Sequence, residues 1–183
     1  PKPSSAASDV YKRQALHQWP NRNEVGARLT TFEVTFPRIV LAEFNTHRVF
    51  SRNSASSRAI PVATMLKRVK EDPFIPVYWG KNQKGMQAAE ELSADAQARA
   101  LEQWMLARDN AVSTVERLQM PDIDLHKQIA NRLLEPFLWH TVLVTTTEME
   151  NWRGLRRNKE AQPEIRRIAD MMDEVYEAST PQV

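Results

Sequence analysis

The sequence predicts an α+β domain, on three observations. Two segments rich in β-branched residues, 27–36 and 138–147, read as strands. Several amphipathic stretches at helical spacing lie around and between them, the longest near 93–118. The strands are too few for a doubly wound sheet, so helices packed on a small sheet are the remaining arrangement. At 183 residues the chain is long enough for one domain with a real core, and no boundary is visible within it. Residues 15–183 are read as that domain.

The elements follow in order. Residues 1–14, PKPSSAASDVYKRQ, are polar and Pro/Ser-rich and read as a disordered or non-native leader. Residues 27–36, ARLTTFEVTF, partly alternate and predict a strand. Pro37 is placed to open a helix carrying Ile39, Val40, Leu41, Phe44 and Arg48, and a loop follows. Pro61 starts a short helix with Val62, Met65, Leu66 and Val69 on one face. Two prolines and two glycines make 72–87 a loop. Ser93 is an N-cap for a helix to about Leu118, whose stripe is Leu101, Trp104, Met105, Val112, Val115 and Leu118. A further helix is expected near 123–135, closed by Pro136. The strand LWHTVLVTTT spans 138–147, and Glu148–Arg156 reads as a short helix. Pro163 opens a last helix with Ile165, Ile168, Met171, Met172 and Val175 on one face.

Composition narrows the chemistry. The chain has no cysteine, which removes disulfides, thiolate metal sites and a Cys nucleophile together. Its four histidines are scattered, so no metal is expected. With only four glycines and no glycine-rich phosphate loop, any phosphate must be held by side chains and helix ends. No apolar run reaches membrane-spanning length and no signal-peptide pattern opens the chain, so a cytoplasmic protein is expected.

The informative block is residues 46–58, T-H-R-V-F-S-R-N-S-A-S-S-R. No acid lies between Glu43 and Glu71, while Arg48, Arg52, Arg58, Lys67, Arg68 and Lys70 do. In a chain of net charge +2 this is a local positive field interleaved with hydroxyls. Planar guanidinium forks with short hydroxyl donors suit a phosphate. A solvated basic face is the plainer reading of a generic charge run. The mixture with small hydroxyl residues, directly after an apolar segment, favours a site.

That block resembles the signature of flavin-dependent thymidylate synthases, R-H-R-x-x-S-x-N-x-x-S-x-R-Y. Six of its eight fixed positions agree at identical spacing: His47, Arg48, Ser51, Asn53, Ser56 and Arg58. Asn151, Leu155-Arg156 and Ala161-Gln162-x-Glu164-Ile165-Arg166 resemble the family's closing segment, and Arg132-Leu133-Leu134-x-Pro136 its R-x-x-L-P helix end. The likeness covers roughly residues 27–178, and the stretch FIPVYWGKNQKGMQ resembles that of a divergent branch found in viruses and bacteria. The chain looks truncated relative to that family, whose upstream region is absent or replaced here.

The resemblance implies a small, mostly antiparallel sheet packed with helices. It also implies conversion of dUMP to dTMP, with methylene-tetrahydrofolate as carbon donor and NADPH-reduced FAD as hydride donor. It implies a homotetramer with shared active sites, and no membrane or nucleic-acid partner. Carried over by position, FAD contacts fall on Thr46, His47, Arg48, Ser54, Thr145, Thr147 and Asn151. Contacts to dUMP fall on Glu43, Ser54, Ser56, Ser57, Arg58, Arg132 and Arg156. Ser56 and Arg58 would hold the phosphate, joined by Arg132 of a neighbouring subunit. Arg156 would be the catalytic cation that polarises the uracil; without the likeness it reads as a surface arginine beside Arg153 and Arg157. The chain departs from the pattern at Thr46 (an arginine), Ser54 (a glutamate) and Ala59 (a tyrosine). Glu43 stands where glutamine is common, and Thr145 and Thr147 replace Asn and Arg. Arg52 is a stand-in for the arginine missing at 46. A catalytically lapsed nucleotide-binding relative is the second reading. A basic nucleic-acid-binding module is the third, weakened because aromatics do not interleave with the basic residues.

Overall fold

In the computed structural model, residues 11–16 and 28–180 are described. Four strands form one sheet in the order β1-β2-β4-β3: β1 Tyr11–Leu16, β2 Arg28–Pro37, β3 Ser51–Ser54 and β4 Trp139–Thr146. β1 pairs antiparallel with β2, from Tyr11 opposite Glu33 to Leu16 opposite Arg28. β3 pairs antiparallel with β4, from Ser51 opposite Thr145 to Ser54 opposite Val142. The hydroxyl pairs Thr31–Thr145 (2.9 Å) and Thr35–Thr141 (2.8 Å) step in opposite directions along β2 and β4, so the central pair is antiparallel too. The helices are α1 Leu41–Asn45, α2 Val62–Glu71, α3 Ala94–Leu118, α4 Lys127–Ala130, α5 Glu150–Arg156 and α6 Pro163–Glu177. The fold is α+β, as the sequence predicts. Among the described residues, no helix is long and apolar enough to cross a membrane.

The chain's contacts divide it into two units. The first comprises residues 1–36, 40–54 and 140–183 and contains the sheet. Period-two burial explains its strands: Thr30, Phe32, Val34 and Phe36 of β2, and His140, Val142, Val144 and Thr146 of β4, all point inward. Phe44, Phe50 and Trp152 pack on them with Ile165, Ile168, Ala169 and Met172 of α6. Pro163 sits in the first turn of α6, where a missing N–H costs nothing.

The second unit comprises residues 37–39 and 55–139. Its core is Val62, Met65 and Val69 of α2, Val112 and Val115 of α3, and Ala130, Leu134, Phe137 and Leu138. Ser93 caps α3 by accepting the Ala96 N–H, as expected. Only Val112 and Val115 of the predicted stripe are fully buried; Trp104 is half-buried and donates its indole N–H to the Phe74 carbonyl at 2.8 Å. In the 72–92 loop, Gly80 is required by a close approach, since a Cβ there would meet the Ala88 Cβ at 2.2 Å.

Four expectations need correction. Residues 1–10 of the proposed leader lie outside the described residues, but 11–14 belong to β1, where backbone pairing needs no apolar side chains. The loop assigned to the end of the 46–58 block contains β3, an exposed edge strand held by β4. The helix expected over 123–135 is α4 followed by a 3-10 stretch, Asn131–Phe137, that contains Pro136. It starts late because Asp124 takes φ 47° and His126 caps α4 by accepting the Gln128 N–H. Finally, no boundary was expected, whereas the contacts divide the chain at 36/37, 39/40, 54/55 and 139/140, where composition does not change.

Candidate functional site

The first cluster lies in the sheet-containing unit and centres on Arg156. α5 carries Arg153 and Arg156, Arg157 is its C-cap, and the acids of α6 sort the three. Arg153 bonds Asp173 and pairs with Glu177 at 2.6 Å; Arg157 pairs with Asp170 at 3.0 Å and bonds Asp173. Arg156 has no acid partner among the described residues. Its Nε donates to His47 Nε2 at 2.8 Å, and its Nη2 donates to the Glu43 carbonyl at 3.2 Å and Thr46 Oγ1 at 3.1 Å. Every acceptor is neutral, so the guanidinium keeps its full charge.

His47 is 4% exposed, with its ring edge-on to Trp152 at 4.6 Å and tilted against Phe50 at 5.8 Å. Burial, then the charges of Arg156 and Arg52, lower its pKa from 6.5 to about 4. The ring is therefore neutral at physiological pH and accepts at Nε2. Arg52, expected to stand in for the arginine missing at 46, donates its Nη1 to the His47 carbonyl at 2.8 Å, across the turn after α1. Glu43 Oε2 is buried and accepts no hydrogen bond, so it suits a ligand N–H or O–H.

The other positions that the resemblance assigns to a flavin also belong to this unit. Arg48, Ser54, Thr147 and Asn151 are exposed, and their side chains have no partner among the described residues. Thr145 is half-buried and bonded to Thr31. Ser51 lies opposite Thr145, whereas Ser54 is three residues further along β3, about 10 Å away at strand spacing. The unpartnered donors fit an anionic, oxygen-rich cofactor such as FAD. Ser54 fits it less well, being drawn away from the Thr145–Thr147 strand end.

The second cluster lies in the other unit. Ser56 and Arg58 share an exposed turn, in which Ser56 Oγ accepts the Arg58 N–H at 3.3 Å and the Ser56 carbonyl accepts from Ala59 at 2.9 Å. The Arg58 guanidinium has no partner among the described residues. Ser57 points the other way: it is 4% exposed and donates to Glu135 Oε1 at 2.9 Å. The same oxygen takes Arg38 at 3.0 Å and Arg132 at 2.7 Å. Asn131 adds bonds to the carbonyls of Ser57 (2.7 Å) and Ile60 (3.0 Å). Sequence reasoning missed Glu135 and Arg38. The three-residue spacing of Arg132 and Glu135 was the one available signal.

Guanidiniums without a partner among the described residues, and one seated on neutral acceptors, are groups chemically suited to an anion. The sequence matches the family described as thymidylate synthase complementing protein (Thy1) over residues 28–182, and the chain belongs to that family. No curated protein matches it in sequence. Among solved structures it shares the fold of a UMP/dUMP methylase, PolB of Streptomyces cacaoi. The form bound with 5-Br UMP aligns at TM-score 0.64 and the form bound with 5-Br dUMP at 0.66, each at 19% identity over 81% of this chain. The alignments cover 69% and 66% of those chains, so this chain spans about two thirds of their length.

Proposed function

We propose that the protein is a flavin-dependent thymidylate synthase, methylating dUMP to dTMP with methylene-tetrahydrofolate and NADPH as co-substrates. The observation that carries the reading is Arg156, the one α5 arginine left without an acid and seated instead on the signature residues Thr46 and His47. Family membership and the fold of a UMP/dUMP methylase support it.

Methylation at C5 of uracil needs that carbon to be electron-rich. This chain has no cysteine to add to the ring, so the activation must be electrostatic. Arg156 is permanently charged and stabilises negative charge developing on the uracil without exchanging a proton. Its neutral seat prevents a carboxylate from competing with the substrate for that charge. In the shared sites of the homotetramer that this reading implies, Arg58 and Ser56 take the nucleotide phosphate, joined by Arg132 of a neighbouring subunit. Ser57, buried on Glu135, holds the loop that presents them. Arg48, Thr147 and Asn151, with Ser54 and Thr145, hold FAD, which when bound supplies the hydride. His47 acts from beneath through Arg156. The working assembly in this reading is a cytoplasmic homotetramer.

Two measurements test it. Protein mixed with FAD should retain a yellow chromophore whose spectrum shifts on adding dUMP. With FAD, NADPH and methylene-tetrahydrofolate it should release tritium from C5-labelled dUMP. A colourless protein that cannot be reconstituted would refute the flavin reading. A spectral shift without tritium release would identify a lapsed nucleotide-binding relative.

A further inference from the structure

We propose that Thr46 and His47 are positioning residues that aim the Arg156 guanidinium, an inference that rests on the reading of Arg156 as the substrate-facing cation. A guanidinium has five N–H donors. Three are spent here: Nε on His47, and both Nη2 donors on the Glu43 carbonyl and Thr46 Oγ1. Both N–H groups of Nη1 remain without a partner among the described residues. The arginine is thus gripped along one edge and presents the other.

The seat is chemically consistent atom by atom. Thr46 Oγ1 donates its own proton to the Glu43 carbonyl at 2.7 Å, which leaves its lone pairs for Arg156. To accept at Nε2, His47 must carry its proton on Nδ1, and the packing of Trp152 and Phe50 fixes the plane of the ring. The Glu43 carbonyl collects the Thr46 N–H (3.1 Å), the Thr46 hydroxyl and Arg156. A threonine at 46 therefore has a use of its own: an arginine there could accept nothing and would bring a second cation to the same carbonyl. In this chain the departure from the family pattern at 46 and the fixed edge of Arg156 are one arrangement.

The seat can be read without any ligand. In nitrogen-resolved NMR of the protein, the Arg156 Nε–H should exchange slowly with water, and the His47 Nε2 should carry the shift of an unprotonated, hydrogen-bonded nitrogen. T46V, which keeps the shape and removes the hydroxyl that accepts from Nη2, should speed exchange of the Arg156 Nη2 protons severalfold, while T46S should restore the wild-type rate. The consequence for substrate follows in the same variants. Loss of one charge-assisted bond should weaken dUMP binding by roughly tenfold in T46V. T46S should bind near wild type and T46R should bind more weakly than T46V. If T46V and T46S show the same exchange rate as wild type, the seat is refuted, whatever the enzyme does. If the exchange behaves as expected but the wild-type protein binds no dUMP, the seat stands and the proposed function fails.

Discussion

Arg156 and Arg132 are both arginines of the functional pattern, yet the two units treat them in opposite ways. Arg132 pairs with Glu135 Oε1, which it shares with Arg38 and Ser57, so part of its charge is met by an acid inside the protein. Arg156 meets only a neutral imidazole, a carbonyl and a hydroxyl. A compensated cluster holds structure together, because removing its acid strands cations and donors. An uncompensated cation contributes little to stability and keeps its field for a ligand. The same residue type is thus held by an acid in one unit and by neutral acceptors in the other, and the partner's charge decides how much of its field is left for a ligand.

The sharpest way to break that contrast is R156Q. If Arg156 works as an electrostatic stabiliser, turnover should fall by about 10²–10³-fold while the urea midpoint barely moves. A large loss of stability instead would return Arg156 to a structural role.

The next effect is one of pH. The folded pKa of His47, about 4, lies below its ordinary 6.5. As pH falls, the unfolded chain takes the proton first. The stability from a neutral His47 is therefore complete above pH 6.5 and is lost as pH drops toward 4, by up to about 3 kcal/mol. The facing charges, Arg156 and Arg52, are both cationic and oppose protonation. Urea unfolding of wild type and H47Q across this range should show a steeper acid loss in wild type; parallel curves would contradict it.

E135Q should cost less, about 1–3 kcal/mol, since Glu135 and Arg132 are partly solvated while Arg38 is 15% exposed. Denaturant unfolding would measure it, and the loss should exceed that of R132Q. The smallest effect is S93A, which removes the α3 cap and should cost about 1 kcal/mol by the same method.

What was legible in the sequence was what local chemistry decides. β2 and β4 announce themselves by alternation and β-branching, α3 by the Ser93 cap, and α6 by Pro163. β3 was not legible, because SRNS carries no alternating pattern and its pairing is made by the backbone of β4. The helix at 123–135 misled because Ile129 and Leu133 suit a buried stripe but are exposed, while turn chemistry at Asp124 and His126 delays the start. At the site, the spacing of His47, Arg48, Ser56 and Arg58 was readable and led to the family. The sorting of Arg153, Arg156 and Arg157 was not. It depends on Asp170, Asp173 and Glu177 meeting α5 from α6, and on His47 meeting Arg156 from over a hundred residues away. Ser57 and Ser56 look equivalent in sequence and differ only because one is turned toward Glu135.

The most direct test of Arg156 as the uncompensated, substrate-facing cation is the dUMP-induced difference spectrum of FAD-loaded protein, recorded for wild type and R156Q. The account predicts a saturable shift of the flavin band in wild type and its loss, or a requirement for far higher dUMP, in R156Q with the flavin still bound. An identical shift at identical dUMP concentration in both proteins would contradict it.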